Sequence, residues 1–254
     1  MRRLSTSAFT LIELLISLAI IGILVGLLLP MLLHAKTASS AAVCASNLRQ
    51  LGVAWLSYAQ DFEQFPRHAT KPAWAYGGVV FSGVHRVATL DLDRPLNRYL
   101  KEDLEEGDRE LAKLFQCPGD RGVFVRDGMR SNRVNQLPEP SCYQTFGTSY
   151  RANDALLDST TAGIDSLGRP LRLSEIHVSL SRLLLTGDTA WFYATRIHPD
   201  PEANFEATWH AKFDAGNFLA VDGSVRFVAF AAGSTDITLF PRPESVKAPR
   251  PQRD

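Results

Sequence analysis

The chain has 254 residues, 27 basic and 27 acidic side chains, and no formal net charge at pH 7. That length holds one ordinary domain plus an appendage, and the charge balance excludes a nucleic-acid binder working through bulk positive charge. Hydrophobic residues make up an ordinary 45% of the chain, which excludes a polytopic membrane protein.

The apolar residues are concentrated near the start. From Phe9 to Leu33 the only ionisable side chain is Glu13. As a helix this run spans roughly 37 Å at ~1.5 Å per residue, whereas a bilayer core of ~30 Å needs about 20 residues. No later segment comes close, so one span is expected. Arg2 and Arg3 precede it, which predicts a cytoplasmic N-terminus with the rest of the chain outside. A cleaved secretory signal is the competing reading, with "HAKTASSAA" (34–42) imitating a cleavage site. The run is longer than a ~7–15-residue signal core and carries an acid. A lipoprotein signal fits less well, because Val43 precedes Cys44 far beyond the apolar run.

A carboxylate in hydrocarbon costs ~3 kcal/mol at a helix centre. Glu13 lies about one turn into the run, so it either snorkels to the interface or finds a cation. A cut between Ala8 and Phe9 would supply one, the new α-amino group of Phe9. In an assembly, Glu13 of one subunit would meet the amine of the next, neutralising two charges that are costly alone.

Pro30 removes one backbone hydrogen bond and loosens or kinks the helix. Beyond it, Cys44, Leu48, Leu51, Trp55, Tyr58 and Phe62 are spaced 4, 3, 4, 3, 4, an amphipathic stripe. Asn47, Arg49, Gln50, Ser57 and Gln60 fall off it. The span therefore continues as a soluble helix packed on a globular domain, with Trp55 and Tyr58 as core residues, and Pro66 ends it.

Further along, 75–82 reads as a strand or extended loop, 95–114 as one or two short helices, 121–127 as a strand and 181–194 as a buried strand. "GNFLAVDGSVRFVAF" is the strongest hairpin signal, with Asp222-Gly223 as a two-residue turn. The proline-rich, charged tail from 241 reads as disordered. The expected fold class is α+β, a long N-terminal helix packed on a small antiparallel sheet. Its organisation is a leader (1–8), a transmembrane helix (9–33), an amphipathic helix (34–64), a globular domain (65–240) and a tail (241–254).

A short basic leader followed by "AFTLIELLISLAIIGIL" resembles the prepilin signature of type IV pilins and type II secretion pseudopilins. The resemblance implies cutting between Ala8 and Phe9 by a prepilin peptidase, methylation of the Phe9 amine, Glu13 as the fifth mature residue and Pro30 as the twenty-second. Ala8 departs from the usual Gly before the cut. The likeness extends to a branch of pseudopilin-like proteins with a Cys before "NLRQLG", a "CP" pair, a Ser-Tyr-Asn stretch and a His nine residues before Asp-Gly. Here these are Cys44, Cys117-Pro118, "TSYRAND" (148–154) and His210 with Asp222-Gly223, separated by eleven residues rather than nine. The family implies a pilin-like α+β fold and a structural subunit polymerising through its N-terminal helix into a secretion pseudopilus or related filament. It also implies the inner membrane as location, with the domain periplasmic, and other pseudopilins and the prepilin peptidase as partners. A tethered minor subunit binding a polysaccharide or secreted cargo is the alternative, which an exposed aromatic cleft near Trp74, Tyr76 and Trp191 would favour.

No catalytic set stands out, so no enzyme and no cofactor are expected. The six histidines show no zinc-like spacing and no Cys-x-x-Cys occurs. The likeness to major pseudopilins hints at Ca²⁺ on Asp214 and Asp222, although calcium wants six to eight oxygens and the turn already uses Asp222. Of the three cysteines, Cys44 points into the domain from the helix stripe and Cys117 follows the apolar "LAKLF", so a Cys44–Cys117 disulfide with Cys142 free is expected. A Cys117–Cys142 bridge and three reduced thiols are the alternatives.

Overall fold

The structure, a computed structural model, describes residues 10–66, 73–82, 87–91, 93–100, 109–122, 124–125, 141–195, 205–206, 208–210, 212–213, 215–230 and 237–242. The chain divides into two compact units, 1–39 and 40–254.

One helix, α1, runs Leu11–Phe62 and passes through Pro30 without ending. Its apolar N-terminal stretch is exposed throughout, and it is long and apolar enough to cross a membrane. The C-terminal stretch buries Cys44, Asn47, Leu48, Leu51, Gly52, Ala54, Trp55 and Ala59. That face is wider than the predicted stripe. Asn47 lies on it, donating to the carbonyls of Lys113 and Gln116 and to the Tyr150 hydroxyl. Phe62 lies off it, 54% exposed and stacked on Tyr58. The helix stops before Pro66, with Glu63 in the left-handed region at φ 56°.

After α1 come β1 (Val79–Ser82) and β2 (Val87–Leu90), a 3₁₀ turn at Pro95–Tyr99, α2 (Arg109–Leu114), β3 (Phe124–Val125), α3 (Cys142–Phe146), β4 (Tyr150–Ala152) and α4 (Asp154–Leu157). Then follow β5 (Leu184–Asp188), α5 (Ala190–Ala194), β6 (Phe205–Glu206), β7 (Thr208–Trp209), β8 (Lys212–Phe213), β9 (Ala215–Ala220) and β10 (Val225–Ala229). The main sheet has four antiparallel strands in the order β10-β9-β5-β4. The architecture is α+β and pilin-like, a long N-terminal helix followed by a small antiparallel sheet.

Every residue of β5 and β9 is buried, because these central strands are covered on both faces. Helix α1 covers one of them: a Cβ on Gly52 would sit 3.1 Å from Leu219 of β9. Asn217 of β9 donates to the Ala41 carbonyl, tying the same strand to the helix backbone.

Two local expectations are corrected. The segment 181–194 is a strand only over Leu184–Asp188; Ala190–Ala194 is helical. A short apolar run does not distinguish the two by periodicity, and here Trp191 turns back so that its Nε1 donates to the Arg151 carbonyl of β4. The hairpin turn has three residues, not two. Ala220 and Ser224 close it, the Gly223 N–H donates to the Ala220 carbonyl, and Gly223 has φ 85°. A type I turn followed by a left-handed residue is the usual form of that loop. The tail's first two residues are bonded: the Pro241 carbonyl accepts from His177 N and Arg242 Nε donates to the Glu175 carbonyl. Residues 243–254 lie outside the described residues.

Candidate functional site

The first candidate is the start of α1. Ala8 and Phe9 lie outside the described residues. Glu13 occupies the first turn, its Oε2 accepting from the Thr10 N–H (2.9 Å) and the Thr10 hydroxyl (2.7 Å), a local capping arrangement. Around it Leu11, Ile12, Leu14, Leu15 and Ile16 are all more than half exposed. Soluble monomers rarely present so continuous an apolar surface, so this one needs lipid or other helices around it.

The second candidate lies where α1 meets the sheet. Cys44 and Cys117 form a disulfide that closes a separation of 73 residues, and Cys142 is free and buried. Burial holds the Cys142 thiol well above its usual range. His210 packs against the bridge, its Nε2 3.5 Å from Cys117 Sγ and 3.3 Å from Asp188 Oδ2. Asn217 orients the carboxylate, its N–H and its Nδ2 both donating to Asp188 Oδ2. His210 is buried at φ 50°, a conformation that is uncommon outside glycine. Gly119 makes room for it, since a Cβ there would lie 2.5 Å from Nδ1. His210 Nδ1 and Asp188 Oδ1 are buried with no hydrogen-bond partner.

The structure thus separates the residues of the His…Asp-Gly motif. His210 works with Asp188, Asn217 and the disulfide, whereas Asp222 accepts from the Ser224 N–H and hydroxyl within its own turn. Asp214, the other suggested calcium ligand, lies outside the described residues. Asp188 and Asn217 were missed by motif reading. The available signal was an acid ending the otherwise apolar "LLLTGD", where only a specific partner justifies a buried carboxylate.

The "CPGD" and "TSYRAND" stretches are structural partners. Asp120 accepts from the N–H groups of Gly122, Cys142 and Tyr143 and from the Ser149 hydroxyl. Burial still raises its pKa above the ordinary carboxylate value. Tyr76 and Trp191 are buried in the core, and the half-buried Trp74 stacks on Phe146 at 3.9 Å, so these three rings do not line an exposed cleft. Arg151 lies between Trp74 and Phe192, 4.1 and 3.6 Å from their ring centres. A surface depression is lined instead by Tyr58, Phe62 and Tyr99 with Asp61, Asp93 and Arg98.

The comparison with protein families matches residues 3–29 to the prokaryotic N-terminal methylation motif. The chain carries the type IV pilin and pseudopilin signature. The matched residues contain Glu13 and most of the exposed apolar stretch, so the motif and the exposed apolar surface coincide. No curated protein and no solved structure matches the chain.

Proposed function

We propose that this chain is a structural subunit of a type II secretion pseudopilus or a related filament, without catalytic activity. Prepilin peptidase cuts between Ala8 and Phe9 and the Phe9 amine is methylated. The N-terminal helix holds the subunit in the inner membrane with its C-terminal domain in the periplasm, then packs against other pseudopilins as the filament grows. Glu13 of one copy meets the Phe9 amine of the next. The observation that carries this reading is the methylation motif at 3–29 overlying a helix whose apolar side chains are exposed among the described residues.

Co-expression with a prepilin peptidase, followed by intact-mass measurement and N-terminal sequencing, tests it. A mature chain starting at methylated Phe9 is expected. An unprocessed Met1, or a start near residue 39, overturns it. Glu13→Ala should then abolish filament formation while the protein still folds.

A second reading, a tethered minor subunit that binds a polysaccharide or secreted cargo, is favoured by the Tyr58–Phe62–Tyr99 depression, whose apolar rings sit beside carboxylates. Tyr58→Ala separates the two readings: it weakens oligosaccharide binding only if the second holds.

A further inference from the structure

Four ligand-type atoms from four separate parts of the chain converge beside α1. Cys44 Sγ, Cys117 Sγ, a carboxylate oxygen of Asp188 and a ring nitrogen of His210 all lie within 4.8 Å of one another, and all four residues are buried. Two sulfurs, one nitrogen and one oxygen form a donor set suited to zinc. We propose that the dithiol form of this chain is a Zn²⁺ site, and that the disulfide is the oxidised, metal-free state of that site.

A tetrahedral zinc with bonds of about 2.05 Å to nitrogen, 2.1 Å to oxygen and 2.3 Å to sulfur places nitrogen and sulfur about 3.5 Å apart, and nitrogen and oxygen about 3.4 Å apart. His210 Nε2 already stands 3.5 Å from Cys117 Sγ and 3.3 Å from Asp188 Oδ2. Two edges of the tetrahedron therefore exist before any metal enters. Once unbonded, the two thiolates need to stand about 3.8 Å apart.

The surroundings are built for this arrangement. Asn217 fixes the Asp188 carboxylate through Oδ2, the kind of outer partner that orients a metal ligand, and leaves Oδ1 without a hydrogen-bond partner. His210 is held in a strained backbone conformation over Gly119, where no side chain fits. A core imidazole that served packing alone would need neither the strain nor a buried, under-satisfied carboxylate beside it.

The two states interconvert by a balanced exchange. An external disulfide, R–S–S–R, oxidises the zinc-bound thiolates. The two metal–sulfur bonds, the metal bonds to His210 and Asp188 and the acceptor S–S bond break, and the Cys44–Cys117 bond forms. Zn²⁺ and two RS⁻ leave, two electrons pass from the cysteines to the acceptor, and no net proton is taken up. A dithiol reductant runs the exchange backwards. Metal and oxidant thus compete for the same pair of sulfurs.

The test uses the full chain in detergent, reduced with a phosphine until all three cysteines titrate under denaturing conditions, then titrated with Co²⁺ as the spectroscopic stand-in for Zn²⁺. The expected result is one Co²⁺ per chain, with the d–d and thiolate-to-cobalt bands of a tetrahedral site, displaced by Zn²⁺ and absent from the disulfide form. Adding a small-molecule disulfide to the zinc form should release one Zn²⁺ per Cys44–Cys117 bridge formed. His210→Asn keeps a residue that tolerates the left-handed backbone. It should weaken Co²⁺ binding by more than the roughly 10–100-fold cost of losing an outer-shell partner. X-ray absorption on the reduced wild-type zinc form needs no variant and should report two sulfur and two nitrogen or oxygen neighbours. A folded, reduced wild-type chain without thiolate-to-cobalt bands, or equal affinity in His210→Asn, overturns the proposal.

Discussion

Helix α1 lives in two environments. Along its N-terminal stretch Leu14, Leu18, Ile21, Leu24 and Leu28 are each at least half exposed, and among the described residues the carboxylate of the single acid, Glu13, is served by Thr10. Along its C-terminal stretch Leu48, Leu51 and Trp55 are fully buried, and the polar Asn47 is satisfied by three acceptors from α2, the loop after it and β4. The same backbone geometry is complete in one stretch and incomplete in the other. Continuity of a helix therefore says nothing about where its side chains find their partners. The C-terminal stretch finds them inside the chain, and the N-terminal stretch leaves them exposed among the described residues.

The sharpest way to break that contrast is to remove the covalent tie. Replacing Cys44 and Cys117 together with Ala releases a 73-residue separation, which the chain-entropy account values at about 4 kcal/mol. Denaturant unfolding of the full chain in detergent, followed by tryptophan fluorescence, should show a loss of that size. Leu51→Ala, with the side chain fully buried, should cost about 3 kcal/mol by the same measurement. Asn47→Ala should cost about 2 kcal/mol, because buried acceptors lose their donor.

Two smaller effects sharpen the comparison. Glu175 contrasts with Glu13: Arg169 grips it with two hydrogen bonds, and the Arg172 N–H donates to it as well. Arg169 above all holds its carboxyl down at about 2 from an ordinary 4.5. A depressed carboxyl contributes stability that is fully present above the unfolded value and lost as pH falls through the folded one. The contribution of this partly exposed pair is small and should fade between pH 4.5 and 2. In Glu175→Gln that part of the acid slope should be missing from a pH series of unfolding midpoints. Smallest of all, Leu18→Ser should change domain stability by less than ~0.5 kcal/mol, since Leu18 is 60% exposed. A large loss there would mean that the lower stretch is not separate from the fold.

The sequence was most legible where one physical demand acts alone. The apolar run and the lone acid within it stand out by composition alone, so a helix long and apolar enough to cross a membrane and its methylation motif are legible in a single pass. The hairpin was legible as a hairpin because Asp222-Gly223 needs a turn, yet its loop length was not, since Gly223 serves two- and three-residue loops alike. The 181–194 segment misled because Trp191 and Phe192 are apolar for reasons of helix and aromatic packing that periodicity over five residues does not separate. The Asp188–His210 contact was illegible for a different reason. It joins the end of β5 to a turn after β7, a strand of a separate two-stranded sheet, and nothing in linear spacing encodes a contact made between sheets.

Asp120 has a consequence for how this fold tolerates change. Its Oδ1 accepts from both Gly122 N–H and Cys142 N–H, so one oxygen clamps two chain positions that are twenty residues apart. The same carboxylate also holds the Tyr143 N–H and the Ser149 hydroxyl, so the "CPGD" turn, the start of α3 and the residue before β4 all hang on one side chain. Asp120 is therefore a single point of failure, where one substitution frees all of these positions at once.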